Sequence, residues 1–225
     1  MIIGIIHVSR QPDYIGLSIS NLLEEFPGVE IHVFAEPGGE WFAGMSKVVV
    51  HKNEVLYGPL FNWLHGLETL SRTSTEDWIL MCEDDIQWGK DQGKIFHDYL
   101  KGCSNQIGMV SGYCSKPNAN PKKLGFANAK ISPYGWCGAL AIAIPRHLVP
   151  MILASKFIIA EWKGKHLDYV VGKTVRWMGK DIIVHTPTLV YHLGATTSTL
   201  LPSGHKNLFG YVRQAYDNPN QLPGL

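Results

Sequence analysis

A chain of 225 residues, 45% of them hydrophobic, is long enough to bury one substantial core, and none of its apolar runs reaches the roughly 18 residues that a membrane span needs. It contains neither Gly-x-Gly-x-x-Gly nor Gly-x-x-x-x-Gly-Lys-Ser/Thr, so a dinucleotide oxidoreductase and a P-loop enzyme both fit poorly. The formal net charge is +1, yet residues 1–100 hold 6 Lys/Arg against 15 Asp/Glu, whereas residues 101–225 hold 14 against 4. Such asymmetry gives the second half a basic face suited to a polyanion or a phosphorylated ligand, unless the halves neutralise each other across their interface.

Taken in chain order, residues 2–9 read as a buried strand, because they are β-branched, continuous and short. The segment lacks a basic leader and a small-residue cleavage site, so a strand is expected here and not a signal peptide. Ile15, Ile19, Leu22, Leu23 and Phe26 give helical spacing over 13–26, and Pro27-Gly28 ends that helix. Val29–Phe34 is a second strand and 48–50 a third. Pro59 starts a helix with Phe61, Leu64, Leu67 and Leu70 on one side. Asp77–Cys82 reads as a central strand that runs into Glu83-Asp84-Asp85.

A helix follows over 91–101, then a strand over Gly108–Tyr113 and a long loop over 114–135 rich in Pro, Asn, Lys and Gly. Gly138–Ile144 is strand-like. Helices are expected near 147–155 and over 167–178, with an interrupted strand over Ile182–His192. The alternation predicts an α/β fold with right-handed crossovers and a mixed, mostly parallel central sheet, whose ligands bind beyond the C-terminal strand ends. Residues 1–200 are expected to form one domain, with a nucleotide-binding half (1–113) and an acceptor half (114–200), followed by a tail or flap over 201–225. Cys82, Cys103, Cys114 and Cys137 form no Cys-x-x-Cys pair, and the expectation is reduced, mostly buried thiols in a cytoplasmic protein.

Glu83-Asp84-Asp85 carries the chemistry. Three adjacent carboxylates repel one another, and the end of an apolar strand holds them together best with a cation or hydrogen-bond donors. Hard oxygen ligands suit Mg²⁺ or Mn²⁺, ions that also take phosphate oxygens and so can neutralise charge on a departing nucleoside diphosphate. The plain alternative is an acidic turn in solvent.

The stretch Trp78-Ile-Leu-Met-Cys-Glu-Asp-Asp-Ile-Gln-Trp88 resembles the strand and Asp-x-Asp-type motif of GT-A glycosyltransferases, above all those that write it Glu-Asp-Asp, such as the N-acetylglucosaminyltransferases of N-glycan branching. The resemblance implies a Rossmann-type nucleotide-binding domain, with Asp85 as direct metal ligand, Asp84 by the ribose or sugar, and Glu83 near the nucleotide. Residues 185–199, His-Thr-Pro-Thr-Leu-Val-Tyr-His-Leu-Gly-Ala-Thr-Thr-Ser-Thr, are similar to a C-terminal Pro-x-Leu-x-x-His-x-Gly segment of several GT-A families. There His192 would reach the metal or the diphosphate, more plausibly with Mn²⁺ than with Mg²⁺. Thr197 and Ser198 could donate to phosphate.

Gly135–Ala141 resembles the small-residue segment that lines donor sugar and acceptor. Gly138 would allow close backbone approach, and Trp136 would stack on a sugar or an aromatic acceptor. By the same resemblance Asp168 is the base that takes the acceptor's proton in an inverting transfer; as a plain alternative it caps the helix that follows. His7, Ser9, Arg10 and Glu36, at the ends of the first two strands, would meet the base and ribose. Arg10 or Lys47 could pair with the diphosphate.

The sequence thus points to a metal-dependent glycosyltransferase that uses a nucleotide sugar, a UDP-sugar by preference, with a hydroxyl acceptor and no membrane partner. Its small size fits a bacterial or viral cytoplasmic enzyme better than a Golgi one. The lysines and arginines of the second half keep open a phage-type variant that glycosylates hydroxymethylated DNA. A sugar nucleotidyltransferase would want a Gly-rich basic loop where Ser9-Arg10-Gln11-Pro12 stands. A non-catalytic nucleotide- or DNA-binding module is the reading outside enzymes.

Overall fold

The computed structural model describes residues 1–8, 13–37, 47–115, 123–129, 138–161 and 167–193. Ser9, Arg10, Trp136, Cys137, Thr197, Ser198 and the tail lie outside these residues. An eight-stranded sheet forms the centre, and its first four strands are β1 (Ile2–His7), β2 (Ile31–Ala35), β3 (Val48–Lys52) and β4 (Trp78–Glu83). They are mutually parallel, in the spatial order β3-β2-β1-β4. The crossovers run through α1 (Ile15–Glu25) between β1 and β2 and α2 (Gly58–Thr73) between β3 and β4.

The chain then makes β5 (Ile86–Trp88), α3 (Gln92–Lys101) and β6 (Ile107–Ser111). Next come β7 (Gly125–Asn128), β8 (Ala141–Pro145), α4 (Val149–Leu153), α5 (Lys156–Glu161), α6 (Leu167–Trp177), β9 (Asp181–Thr186) and β10 (Val190–His192). The sheet continues β4-β8-β6-β9-β7. Strand β8 is antiparallel to both neighbours, β6 and β9 are parallel, and β7 closes the edge antiparallel to β9. The expected α/β fold with a mixed, mostly parallel sheet is the one observed.

Both faces of the sheet are apolar, as continuous rather than alternating hydrophobic strands require. Ile2 and Ile6 of β1 face α2, α4 and α6 together with Trp63, Leu67, Met81, Ile142 and Val170. Ile3 and Ile5 face α1 and α3 together with Ile19, Leu22, Leu80 and Phe96. Two glycines, one on each element, let α2 pack closely on the sheet. A Cβ on Gly4 would lie 2.8 Å from Leu70 Cδ1, and one on Gly66 would lie 2.9 Å from Phe34 Cδ2.

Three local expectations are corrected. Phe61 is 39% exposed, and the buried side of α2 is Leu60, Trp63, Leu64, Leu67 and Leu70. Repeated steps of three drift around a 3.6-residue helix, so Phe61 leaves the stripe that Leu64, Leu67 and Leu70 keep. Strands β5 and β7 were not legible: each is short and gains its partner from a distant segment. The helix expected near 147–155 is a 3₁₀ turn (Arg146–Leu148) plus α4, with α5 as a separate helix. Cys82, Cys103 and Cys114 are free thiols. No described helix is long and apolar enough to cross a membrane.

Candidate metal and donor site

The parallel strands β1, β2 and β4 end at one edge of the sheet, and β8, running the opposite way, begins there. This edge collects His7, Glu36, Glu83-Asp84-Asp85 and Gly138. Strand β4 delivers Glu83, whose N–H donates to Leu140 O (2.9 Å) at the entry to β8. The two following acids turn inward: Asp84 is 2% exposed and Asp85 0%. Burying carboxylates is expensive unless hydrogen bonds or opposite charge compensate them. Asp84 Oδ2 accepts the Val8 N–H (2.9 Å) just beyond β1, and Asp85 Oδ2 stands 2.8 Å from His192 Nε2.

The acidic turn is clamped from two sides. On one, β10 pairs antiparallel with β5, setting His192 opposite Ile86, and Leu193 N–H donates to Asp85 O (2.8 Å). On the other, α1 supplies side chains in place of a further strand. Ser18 Oγ accepts the Ile86 N–H (3.0 Å) and lies within reach of the carbonyls of Asp84 (2.9 Å) and Ile86 (2.8 Å). Asn21 takes the Trp88 N–H (2.6 Å) and donates to the Trp88 carbonyl (3.1 Å). One turn on, the Glu25 carboxylate accepts the N–H groups of Asp91 (3.1 Å) and Gly93 (3.0 Å), where α3 begins.

Sequence reasoning missed these three positions. The signal available was a polar row, Ser18-Asn21-Glu25, at helical spacing beside the apolar row of α1. Polar residues at such spacing ordinarily face solvent, and only the position of β5 shows that these do not.

Glu83, Asp85 and His192 each offer one ligand atom, and these atoms lie within 4.8 Å of one another. Two carboxylate oxygens and an imidazole nitrogen suit Mn²⁺ well, and Mg²⁺ less well because of the nitrogen. The residues therefore fit the divalent ion that the sequence implied. Asp85 and His192 come together as expected, Glu83 joins them, and Asp84 braces β1.

At the neighbouring strand ends, His7 is buried, with Nε2 3.5 Å from Asp13 Oδ2 at the head of α1. Glu36 follows β2 directly and is 2% exposed; its Oε1 accepts the Gly58 N–H (2.6 Å) at the start of α2. Burial pushes its pKa up, partly offset by hydrogen bonds from the Gly58 and Tyr57 backbone. Asn62 of α2 donates to the carbonyls of Phe34 (2.9 Å) and His7 (3.4 Å), and its own carbonyl accepts from Asn53 Nδ2 (2.9 Å). The ends of β1, β2 and β3 are thus tied to one buried amide.

Lys47 stands elsewhere. It precedes the first residue of β3, and its carbonyl accepts the Ile31 N–H at the first residue of β2. A five-residue strand of about 3.3 Å per residue separates it from the acidic edge, too far for a shared diphosphate.

On the acceptor side, Gly138 has φ +125°, a conformation open to glycine, and a Cβ there would meet Tyr113 Cδ1 at 2.6 Å. Its N–H donates to Asp168 Oδ2 (3.0 Å). Asp168 lies in the first turn of α6, not ahead of the helix as an N-cap, and is 6% exposed. Its Oδ1 accepts the Tyr169 N–H (3.0 Å). The carboxylate therefore ties the N-terminus of α6 to the strand edge that bears the acids.

No protein-family model and no curated protein matches this sequence. Solved structures do match in fold. One is the mannosyltransferase PcManGT from Pyrobaculum calidifontis in complex with GDP-Man and Mn²⁺. The likeness covers 82% of this chain and 56% of that one, with TM-score 0.52 at 15% identity. Another is the mannose-1-phosphate geranyltransferase from Thermus thermophilus, over 81% of this chain and 72% of that one, with TM-score 0.52 at 11% identity. The fold is GT-A-like. The chain spans little more than half of the length of the mannosyltransferase, and at such identities the likeness establishes architecture alone.

Proposed function

We propose that this protein is a metal-dependent glycosyltransferase that moves a sugar from a nucleotide-sugar donor, a UDP-sugar by preference, to a hydroxyl acceptor. One observation carries the reading: Glu83, Asp85 and His192 converge at the C-terminal end of a central strand in a GT-A-like sheet. The fold is shared with a transferase whose structure holds GDP-Man and Mn²⁺.

In this reading Glu83, Asp85 and His192 hold Mn²⁺ or Mg²⁺, which would neutralise charge on the departing diphosphate. Asp84, fixed on Val8, and Glu36, fixed on Gly58, keep the strand ends rigid where His7, Ser9 and Arg10 would meet base and ribose. Rigidity favours activity here, because catalysis depends on groups already placed for the transition state. Gly138 lets the backbone pass against the Tyr113 ring beside the donor sugar, with Trp136 as a stacking platform. Asp168 is the base for an inverting transfer, taking the acceptor's proton on a carboxylate oxygen. Its bond to Gly138 orients it.

The test is thermal denaturation with a panel of nucleotides and nucleotide sugars, with and without Mn²⁺, on wild type and Asp85→Ala. A ligand that binds the native state raises Tm. The reading expects a metal-dependent rise with one nucleoside diphosphate, lost in Asp85→Ala. A folded sample that responds to no nucleotide would overturn it.

A further inference from the structure

Among the described residues, cations and aromatic rings of the second half gather on α5 and α6. On α6, Tyr169, Lys173 and Trp177 recur every fourth residue and so share one face, with Arg176 beside them. Lys156 and Phe157, at the start of α5, complete the group. Lys173 Nζ lies 4.5 Å from the centre of the Phe157 ring and 5.5 Å from that of Tyr169. Lys156 Nζ lies 5.4 Å from Phe157 and 5.6 Å from Trp177, and the Phe157 and Trp177 rings meet edge to face at 6.1 Å. Trp177 is 56% exposed, and Arg176 is exposed too.

A large indole that solvent reaches this freely, at the end of a helix and under a cation, adds little to the core. The only acid in α6 is the buried Asp168, and α5 ends on Glu161. The five residues between the two helices, Trp162-Lys163-Gly164-Lys165-His166, contain none. From Tyr169 to Trp177 the strip runs about 12 Å along the helix axis. Its near end adjoins Asp168, which is bonded to Gly138 at the candidate site.

We propose that this face of α6, with the start of α5, docks a single-stranded nucleic acid and leads it toward the site. The inference rests on the transferase reading and names its polymeric partner. The chemistry is complementary in two respects at once. Lysine and arginine side chains take phosphates, and an exposed aromatic ring takes the face of an unpaired base. Alternation of cation and ring along one strip matches a strand that alternates phosphate and base.

Titration of a short fluorescent oligothymidylate at several salt concentrations tests the proposal. Wild type should bind, with affinity falling as salt rises. Trp177→Ala, at an exposed position, should weaken binding about tenfold, the scale of one base–aromatic stack. Arg176→Gln should reduce the slope of log affinity against log salt by about 0.7, the value for one phosphate contact on a single strand. Asp85→Ala should keep oligonucleotide binding while losing the Mn²⁺-dependent nucleotide response, so failure of the docking face and failure of the donor site read out separately. No binding at low salt, or full affinity in Trp177→Ala, overturns the proposal. So does heparin or an anionic phosphatidylglycerol vesicle displacing the oligonucleotide equally well from wild type and Trp177→Ala, which would mark a general polyanion or lipid surface.

Discussion

Strands β2 and β4 both run into buried acid at the same edge of the sheet. After β2, Glu36 has a structural partner, the Gly58 N–H that opens α2. After β4, three acids stand in line, and the clamp around them is made of the Ser18 and Asn21 side chains of α1 and the backbone of β10. One oxygen of Asp84 is bonded to Val8 and one of Glu36 to Gly58, whereas Asp85 and Glu83 converge with His192. A single buried carboxylate at a helix N-terminus needs no cation: burial raises its pKa, and the Gly58 and Tyr57 backbone hydrogen bonds offset part of that cost. Two carboxylates and one imidazole with ligand atoms within 4.8 Å of one another make a donor set that suits a divalent ion. The acidic edge therefore holds two arrangements, a lone carboxylate bonded to backbone and a pair of carboxylates that converge with an imidazole, and the second has the donor set for a divalent ion.

The contrast can be broken most severely at Asp85. Asp85→Ala should lower sugar transfer on the order of 10³-fold, since several kcal/mol of charge stabilisation would leave with the ion. Steady-state turnover measured across a Mn²⁺ titration checks this, and activity that saturates at the wild-type level would sink the metal assignment. Asp168→Asn keeps an oxygen for the Gly138 N–H but removes the base. A fall of about 10² to 10⁴ in kcat with little change in KM is expected. An unchanged kcat would reduce Asp168 to a tether.

His192→Ala removes one of the three ligands and should weaken Mn²⁺ binding at least about tenfold, read by isothermal titration. It should leave the oligothymidylate affinity unaltered.

Ser18→Ala leaves a buried N–H and a carbonyl short of a partner, at a cost of about 1–3 kcal/mol in urea unfolding. The same variant should weaken Mn²⁺ binding if the clamp positions Asp85; loss of stability with intact metal affinity would show that β10 alone holds the turn.

The smallest effect belongs to Glu36. Its folded pKa is raised above the ordinary 4.5, so between that value and the folded value the native state holds more protons than the unfolded one. Stability from this group is fully present below pH 4.5 and declines as pH rises through the folded pKa. Glu36→Gln should flatten that decline in chemical denaturation at a series of pH values. An unchanged slope would mean that Glu36 is ionised in place.

Some of this was legible in the sequence because the signals were local. Continuous apolar runs mark β1, β2 and β4 as buried on both faces, and the Glu83-Asp84-Asp85 run follows the last of them without a break. The resemblance assigned Asp85 to the metal and His192 to the metal or the diphosphate, and the structure sets the two side chains 2.8 Å apart. Lys47 misled because sequence shows a cation near a strand but not which end of the strand faces the ligand. Ser18, Asn21 and Asn62 were not singled out, since a small polar residue on a helix looks the same in sequence whether it meets water or backbone.

The sequence by itself determined the apolar strands, the helices that cross between them and the acidic run that must sit at a strand end. Each follows from residue type and spacing within a few turns of chain. Tertiary structure alone decided that β8 runs backwards, bringing Gly138 and through it Asp168 to the acidic edge, and that β10 returns to set His192 against Asp85. Those choices depend on pairing between segments far apart in the chain, where shape and burial over the whole sheet, not local propensity, select the partner.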